Sequence, residues 1–289
     1  MSADQSQSIG NGFPAAARKQ PPSNHPPSNQ HPAMVERWLL PPIPPKPRAE
    51  VNLWCFSFAG GAPSSFHGWR TSAPEWLGIH AVLLPGRERR SGEAPFAHFE
   101  PLIEAAAAAL APAMTGRVAF FGYSMGALIG FELARVFRRM GLAQPAHLFV
   151  AAHRAPQWPD PLPDLYLLPD AQLKAAVKER FGQVNDALDH PELCELLLPV
   201  LRADLSVCKR YAYQPDAPLD CPISVLGAVD DPVVDTAELR GWAEQSRRHV
   251  ATKLFHGGHF FLQHQRGEVF DWVVQRLQEA RPAEARHDR

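Results

Sequence analysis

Residues 118–137 read VAFFGYSMGALIGFELARVF: an apolar run, a bend of small residues, then an amphipathic pattern of helical period. An apolar run of strand length feeding a long helix is one unit of a parallel sheet. The bend between them, Gly122-Tyr123-Ser124-Met125-Gly126, has the GxSxG spacing that lifts a serine hydroxyl above the carboxyl edge of such a sheet. So sharp a turn leaves room only for small residues two before and two after the serine, and Gly122 and Gly126 meet that demand. The same glycines would also suit plain close packing of helix on sheet. The serine therefore needs partners before it reads as a nucleophile.

Working outward, short apolar runs alternate with helical segments from Val51 onward. The pattern predicts strands at Val51–Phe58, Ile79–Leu84, Arg117–Gly122, His147–Ala152, Ile223–Gly227 and Thr252–Phe255. It predicts helices at His98–Pro112, Met125–Met140, Asp170–Phe181, Pro191–Ala212, Thr236–Ser246 and Arg266–Gln278. Strands that are apolar on both faces imply an α/β fold with a mostly parallel central sheet flanked by helices. Residues 156–217 break the alternation with proline-rich loop and helical pattern only, so they read as an inserted helical lid. Eleven of the thirty prolines lie in the first 47 residues, among Asn, Gln, Ser and His. That composition predicts a disordered extension over 1–47, a folded domain over 48–281 and a short tail over 282–289.

A serine hydroxyl is a weak nucleophile until a histidine takes its proton, and the histidine needs an acid to fix its tautomer. On a strand-turn-helix elbow the expected chain order is serine, acid, histidine. VLGAVDDPVV at 225–234 and LFHGGHFFL at 254–262 each follow a predicted strand and supply that order. Asp230 ranks ahead of Asp231 because it is the first acid after its strand and Asp231 is biased toward extended backbone by Pro232. His259 ranks ahead of His256 because Gly257-Gly258 gives it a flexible approach. The helix after the elbow makes Met125 the residue whose amide faces a developing oxyanion, and CFSFAGGAPSSFHGW at 55–69 offers Ala59 as the second donor, with Gly60 and Gly61 as the turn.

Composition narrows the remaining choices. Twenty-nine basic residues against thirty acidic ones leave almost no net field, which argues against nucleic acid or an anionic membrane as the partner. No apolar run approaches the roughly 20 residues of a membrane-spanning helix, and MSADQSQSIGNG lacks the layout of a secretory signal, so a cytoplasmic protein is expected. Four scattered cysteines without a CxxC pair read as free thiols, and no cluster suggests a metal or a bound cofactor.

Taken together, FSFAGGAPSSFHGW, LLPGRERR, FFGYSMGALIGFELAR, HRAP, LPDAQLKAAVKERFG, LLLPVLRADLSVCKRYAY, VLGAVDDPVV and GGHFFL resemble the type II thioesterases that accompany polyketide and nonribosomal peptide synthases. The likeness spans about residues 50 to 278. It implies an α/β-hydrolase fold with a helical lid and hydrolysis of acyl groups from the phosphopantetheine arm of carrier proteins. It implies an editing role on stalled or misprimed synthases, and it carries the same roles onto Ser124, Asp230, His259, Ala59 and Met125. A carrier protein domain is the expected partner, and a monomer the expected state. Two rivals keep the hydrolase chemistry, a chain-releasing fatty-acyl thioesterase and a general carboxylesterase. A non-catalytic scaffold is the rival of another class. Arg87, Arg89 and Arg90 have two readings, contact with an acidic carrier or its phosphate, and a solvated loop cluster. Phe66, Trp69 and Phe260 are candidates for shaping an acyl pocket.

Overall fold

The computed structural model describes residues 30–40, 49–181, 188 and 190–281. Seven strands form one sheet: β1 (Leu39–Leu40), β2 (Val51–Phe56), β3 (Leu77–Val82), β4 (Arg117–Tyr123), β5 (Leu148–Ala151), β6 (Ile223–Ala228) and β7 (Val250–Phe255). Their spatial order is β1-β3-β2-β4-β5-β6-β7, and every pairing is parallel except the short antiparallel one between β1 and β3. The nine α-helices of the described residues are α1 (Gln30–Trp38), α2 (His67–Ser72), α3 (Phe99–Leu110), α4 (Met125–Arg139), α5 (Asp170–Phe181), α6 (Pro191–Arg210), α7 (Thr236–Leu239), α8 (Phe261–His264) and α9 (Arg266–Glu279).

Successive residues of the central strand serve opposite faces of the sheet. Phe120 packs with Trp54, Phe56 and Phe137 under α4, whereas Phe121 packs with Trp69, Phe149 and Phe270 under α9. Covering both faces is what makes the strands apolar throughout and the sheet parallel. Helix α4 sits so close to the sheet that a Cβ at Gly126 would overlap the Phe56 carbonyl, and one at Gly122 would overlap the Gly126 carbonyl. The two glycines of the elbow are thus required by backbone contact alone.

The lid carries a small core of its own, with Leu165, Leu173, Val177, Leu188, Leu198 and Leu201 buried together between α5 and α6. No strand is described between Pro156 and Ala217, in keeping with the predicted insertion.

The amino-terminal extension differs from expectation. Residues 1–29 and 41–48, like the tail at 282–289, lie outside the described residues. Gln30–Leu40 is folded: Val35, Trp38 and Leu39 are buried, and β1 pairs Leu39 with Val82 and Leu40 with Ala81. The Arg90 guanidinium stacks on the Trp38 ring at 4.6 Å. The physical reason is an edge. Without β1, strand β3 would present an unpaired ladder to solvent, and MVERWLL supplies both the strand and an apolar helix face. Strand β3 itself ends two residues earlier than predicted, at Val82, and Leu83 then donates its amide to the Trp38 carbonyl at 2.7 Å.

Candidate active site

Tyr123 ends β4, Met125 begins α4, and Ser124 between them has φ 53° and ψ −117°. That left-handed φ is costly for a residue with a Cβ and persists because the surroundings fix it. The Ser124 amide donates to the Ala151 carbonyl at 2.8 Å, and its carbonyl accepts from the Ala127 amide at 2.8 Å. The strain directs the side chain away from the sheet, where Ser124 Oγ lies 3.1 Å from His259 Nε2.

His259 is buried on the loop after β7, and Gly257 before it has φ 90°. The Tyr123 hydroxyl donates to the His259 carbonyl and accepts from the Leu262 amide at 3.4 Å, so the residue beside the serine also anchors the histidine loop. His256 is exposed just after the end of β7, and the histidine bonded to the serine is His259.

The acid that meets His259 is Asp231, which corrects the ranking of Asp230. Asp231 Oδ2 and Oδ1 lie 2.9 and 3.2 Å from His259 Nδ1, and both side chains are almost wholly buried. The register of β6 on β7 explains the choice. The Val229 amide donates to the Phe255 carbonyl and the Asp230 amide to the Gly257 carbonyl, which continues the ladder and leaves Asp230 exposed. Asp231 comes next and turns inward, its Oδ1 accepting from the Val233 amide at 2.8 Å and the Val234 amide at 3.2 Å. Pro232 favours this turn, since it has no amide of its own to satisfy. A carboxylate only accepts, so His259 Nδ1 carries the proton and Nε2 is left as an acceptor for the serine hydroxyl.

The predicted amide donors lie opposite. Ala59 and Met125 border the same cavity as Ser124, and neither amide makes a hydrogen bond among the described residues. Gly60 has φ 74°, and the Gly61 amide donates to the Phe58 carbonyl at 2.8 Å, which closes the predicted turn. The Gly60 amide donates to Asp204 Oδ2 of α6 at 2.7 Å.

The cavity has a volume of about 400 Å³ and runs from Ser124 under the lid, with Phe58, Phe181, Leu201 and Phe260 among its walls. Of the aromatics singled out from sequence, Phe260 lines it, whereas Phe66 and Trp69 belong to the core beneath the sheet. His153 also lines it; burial pushes its imidazole down to about 4, and its Nδ1 lies 2.7 Å from the Arg154 carbonyl. A second imidazole near the site is therefore neutral around pH 7. The arginine cluster splits. Arg87 and Arg90 are buried, Arg87 bonded to Asp204 and the Gly61 carbonyl, Arg90 to Glu93 and the Leu83 carbonyl. Both are occupied within the chain. Arg89 is exposed and donates to the Glu36 carbonyl.

A nucleophile, a base and an acid in line, with two amides across a cavity, describe acyl transfer through a serine. The Thioesterase domain family matches residues 51–277. The chain belongs to the thioesterase family. It is 38% identical to the gramicidin S biosynthesis protein GrsT of Aneurinibacillus migulanus over 79% of this chain and 90% of that one. Among solved structures, the thioesterase RedJ from the prodiginine pathway of Streptomyces coelicolor is 36% identical with a TM-score of 0.74, covering 78% of this thioesterase and 90% of RedJ. BorB, a type II thioesterase from the borrelidin biosynthetic cluster, is 31% identical with a TM-score of 0.76, covering 83% and 98%. The thioesterase thus has the α/β-hydrolase fold and is a thioester hydrolase.

Proposed function

We propose that this thioesterase removes acyl groups from the phosphopantetheine arms of carrier proteins, clearing stalled or misprimed polyketide or nonribosomal peptide synthases. The observation that carries the reading is the line Ser124–His259–Asp231 set beside two amides at one end of a lidded apolar cavity, in a chain similar to proteins of such pathways. Its chemistry needs no metal or bound cofactor.

The reaction runs in two halves. His259 Nε2 takes the Ser124 proton while Oγ forms a bond to the thioester carbonyl carbon, and the carbonyl electrons move onto oxygen. The Ala59 and Met125 amides donate to that oxyanion. Collapse of the tetrahedral species breaks the C–S bond, and the proton on His259 goes to the departing pantetheine thiolate. Water then repeats the sequence on the acyl-serine, with His259 as base, and releases the free acid and Ser124. Asp231 stabilises the imidazolium formed in each half.

The test loads acetyl or propionyl groups onto a purified carrier protein and follows their loss by intact-protein mass spectrometry. The parent chain should clear them and Ser124→Ala should not. Equal clearance by the variant would refute the serine mechanism. A parent that ignores the carrier but hydrolyses simple oxygen esters would instead be a general carboxylesterase.

A further inference from the structure

We infer that Asp204 on lid helix α6 is a positioning residue for the oxyanion donor, so that the lid and the catalytic loop are set by one contact. The inference rests on the serine acyl-transfer reading of the site.

Three consecutive peptide units of the loop after β2 are held. In the unit between Phe58 and Ala59, which contains the donor amide, the Phe58 carbonyl accepts from the Gly61 amide at 2.8 Å. In the next, the Gly60 amide donates to Asp204 Oδ2 at 2.7 Å. The turn bond from Gly61 fixes the third, and the following carbonyl, Gly61 O, accepts from Arg87 Nη1 at 2.8 Å. Arg87 Nη2 closes the circuit by donating to Asp204 Oδ1 at 2.9 Å. Asp204 is 2% exposed and Arg87 8%, so the pair works in a medium where such bonds are strong and an unpartnered member is costly.

The arrangement has two consequences. The Gly60 amide is turned away from the oxyanion position to Asp204, and Ala59 is left to face the cavity. The pin is also part of the lid. Leu201, one turn before Asp204 on α6, lies where a Cβ on Gly60 would come within 3.2 Å of its Cδ1. A shift of α6 therefore carries the Gly60 amide with it, and the donor is aligned only while α6 is seated on the loop. Arg87 reads as the counter-charge that makes a buried Asp204 tolerable.

The experiment uses Asp204→Ala, which removes the acceptor of the Gly60 amide, with the double variant Arg87→Met/Asp204→Leu as the form that leaves no unpaired buried charge. Substrate is a small acyl-N-acetylcysteamine thioester, so that carrier recognition plays no part, and Ser124→Ala sets the uncatalysed floor. An alkylboronic acid, which adds to the serine and places a hydroxyl at the oxyanion position, reports on the donor directly. The expected result is a kcat lower by about 10- to 100-fold, less than or near the loss from deleting an oxyanion donor outright. KM should stay within about threefold, and the boronate inhibition constant should rise by about the same factor as kcat falls. A folded variant with kcat and boronate affinity within about twofold of the parent overturns the inference. So does a fall in kcat with unchanged boronate affinity, or failure of both variants to fold, since Asp204 would then be structural. None of these outcomes touches the proposed function, which fails if Ser124→Ala remains active or if the parent ignores the acylated carrier.

Discussion

Replacing Asp231 by asparagine changes one atom and should nearly silence the enzyme. In the parent, Asp231 Oδ1 is occupied by the Val233 and Val234 amides and Oδ2 accepts from His259 Nδ1. Asparagine keeps this shape, but those two amides demand an oxygen, so the new NH2 group must take the place of Oδ2. It then points a donor at Nδ1, 2.9 Å away in the parent. The imidazole responds by moving its proton to Nε2, which faces Ser124 Oγ and can no longer accept from it. Loss of the correct tautomer costs about 10³- to 10⁴-fold in kcat, or about 4 to 5.5 kcal/mol at roughly 1.4 kcal/mol per decade. Because Asp230 is exposed and its amide only continues the β6–β7 ladder, Asp230→Asn should leave kcat within about twofold. The assay is release of thiol from a saturating small acyl thioester, read with a thiol-reactive chromophore, with Ser124→Ala as the floor. The reasoning is refuted if Asp231→Asn keeps more than a tenth of the parent kcat, or if Asp230→Asn proves the more damaging change.

Two further outcomes concern stability. Trp38→Ala removes a buried indole that also carries the Arg90 guanidinium, and should cost about 3–5 kcal/mol in urea unfolding. Glu36→Ala on the exposed side of the same helix should stay within about 0.5 kcal/mol, and equal effects would mean that α1 is not part of the core. His147 is held by burial down to about 3, from an ordinary value of 6.5, with Ser224 Oγ 2.8 Å from its Nε2. The unfolded chain therefore binds the extra proton first, and stability falls as pH drops from 6.5 toward 3, by about 1.4 kcal/mol per pH unit from this residue. Urea midpoints at several pH values should show a shallower acid slope in His147→Gln; an identical slope would remove His147 as a cause.

What was legible in the sequence is what depends on local spacing. The elbow needs small residues at two positions and a strand and helix on either side, and all of that lies within 118–137. The parallel sheet follows from strands apolar on both faces, and the Gly60 turn from a residue that takes a positive φ. The folding of residues 30–40 is not legible locally, for a corresponding reason. Proline density on both sides dominated the composition, while the cause of folding there is distant: β3 needs an edge partner, and nothing within MVERWLL states that Val82 lies opposite Leu39.

The choice between Asp230 and Asp231 could not be made locally either. Adjacent residues on an extended segment point to opposite sides, so the identity of the inward carboxylate depends on where the ladder stops. In this chain it continues two residues past β6, because the Val229 amide finds the Phe255 carbonyl and the Asp230 amide the Gly257 carbonyl, a partner 27 positions away in a loop rather than in a strand. Pro232, which counted against Asp231 in the sequence, favours it in the fold. Pro232 has no amide of its own, and Asp231 Oδ1 accepts from the next two, Val233 and Val234, which hold the carboxylate at His259. Arg87 and Asp204 carry the same lesson. A charge in an LPGRERR loop looks solvated until a carboxylate 117 residues later is brought against it, and the pairing exists only because α6 folds back over the loop it pins.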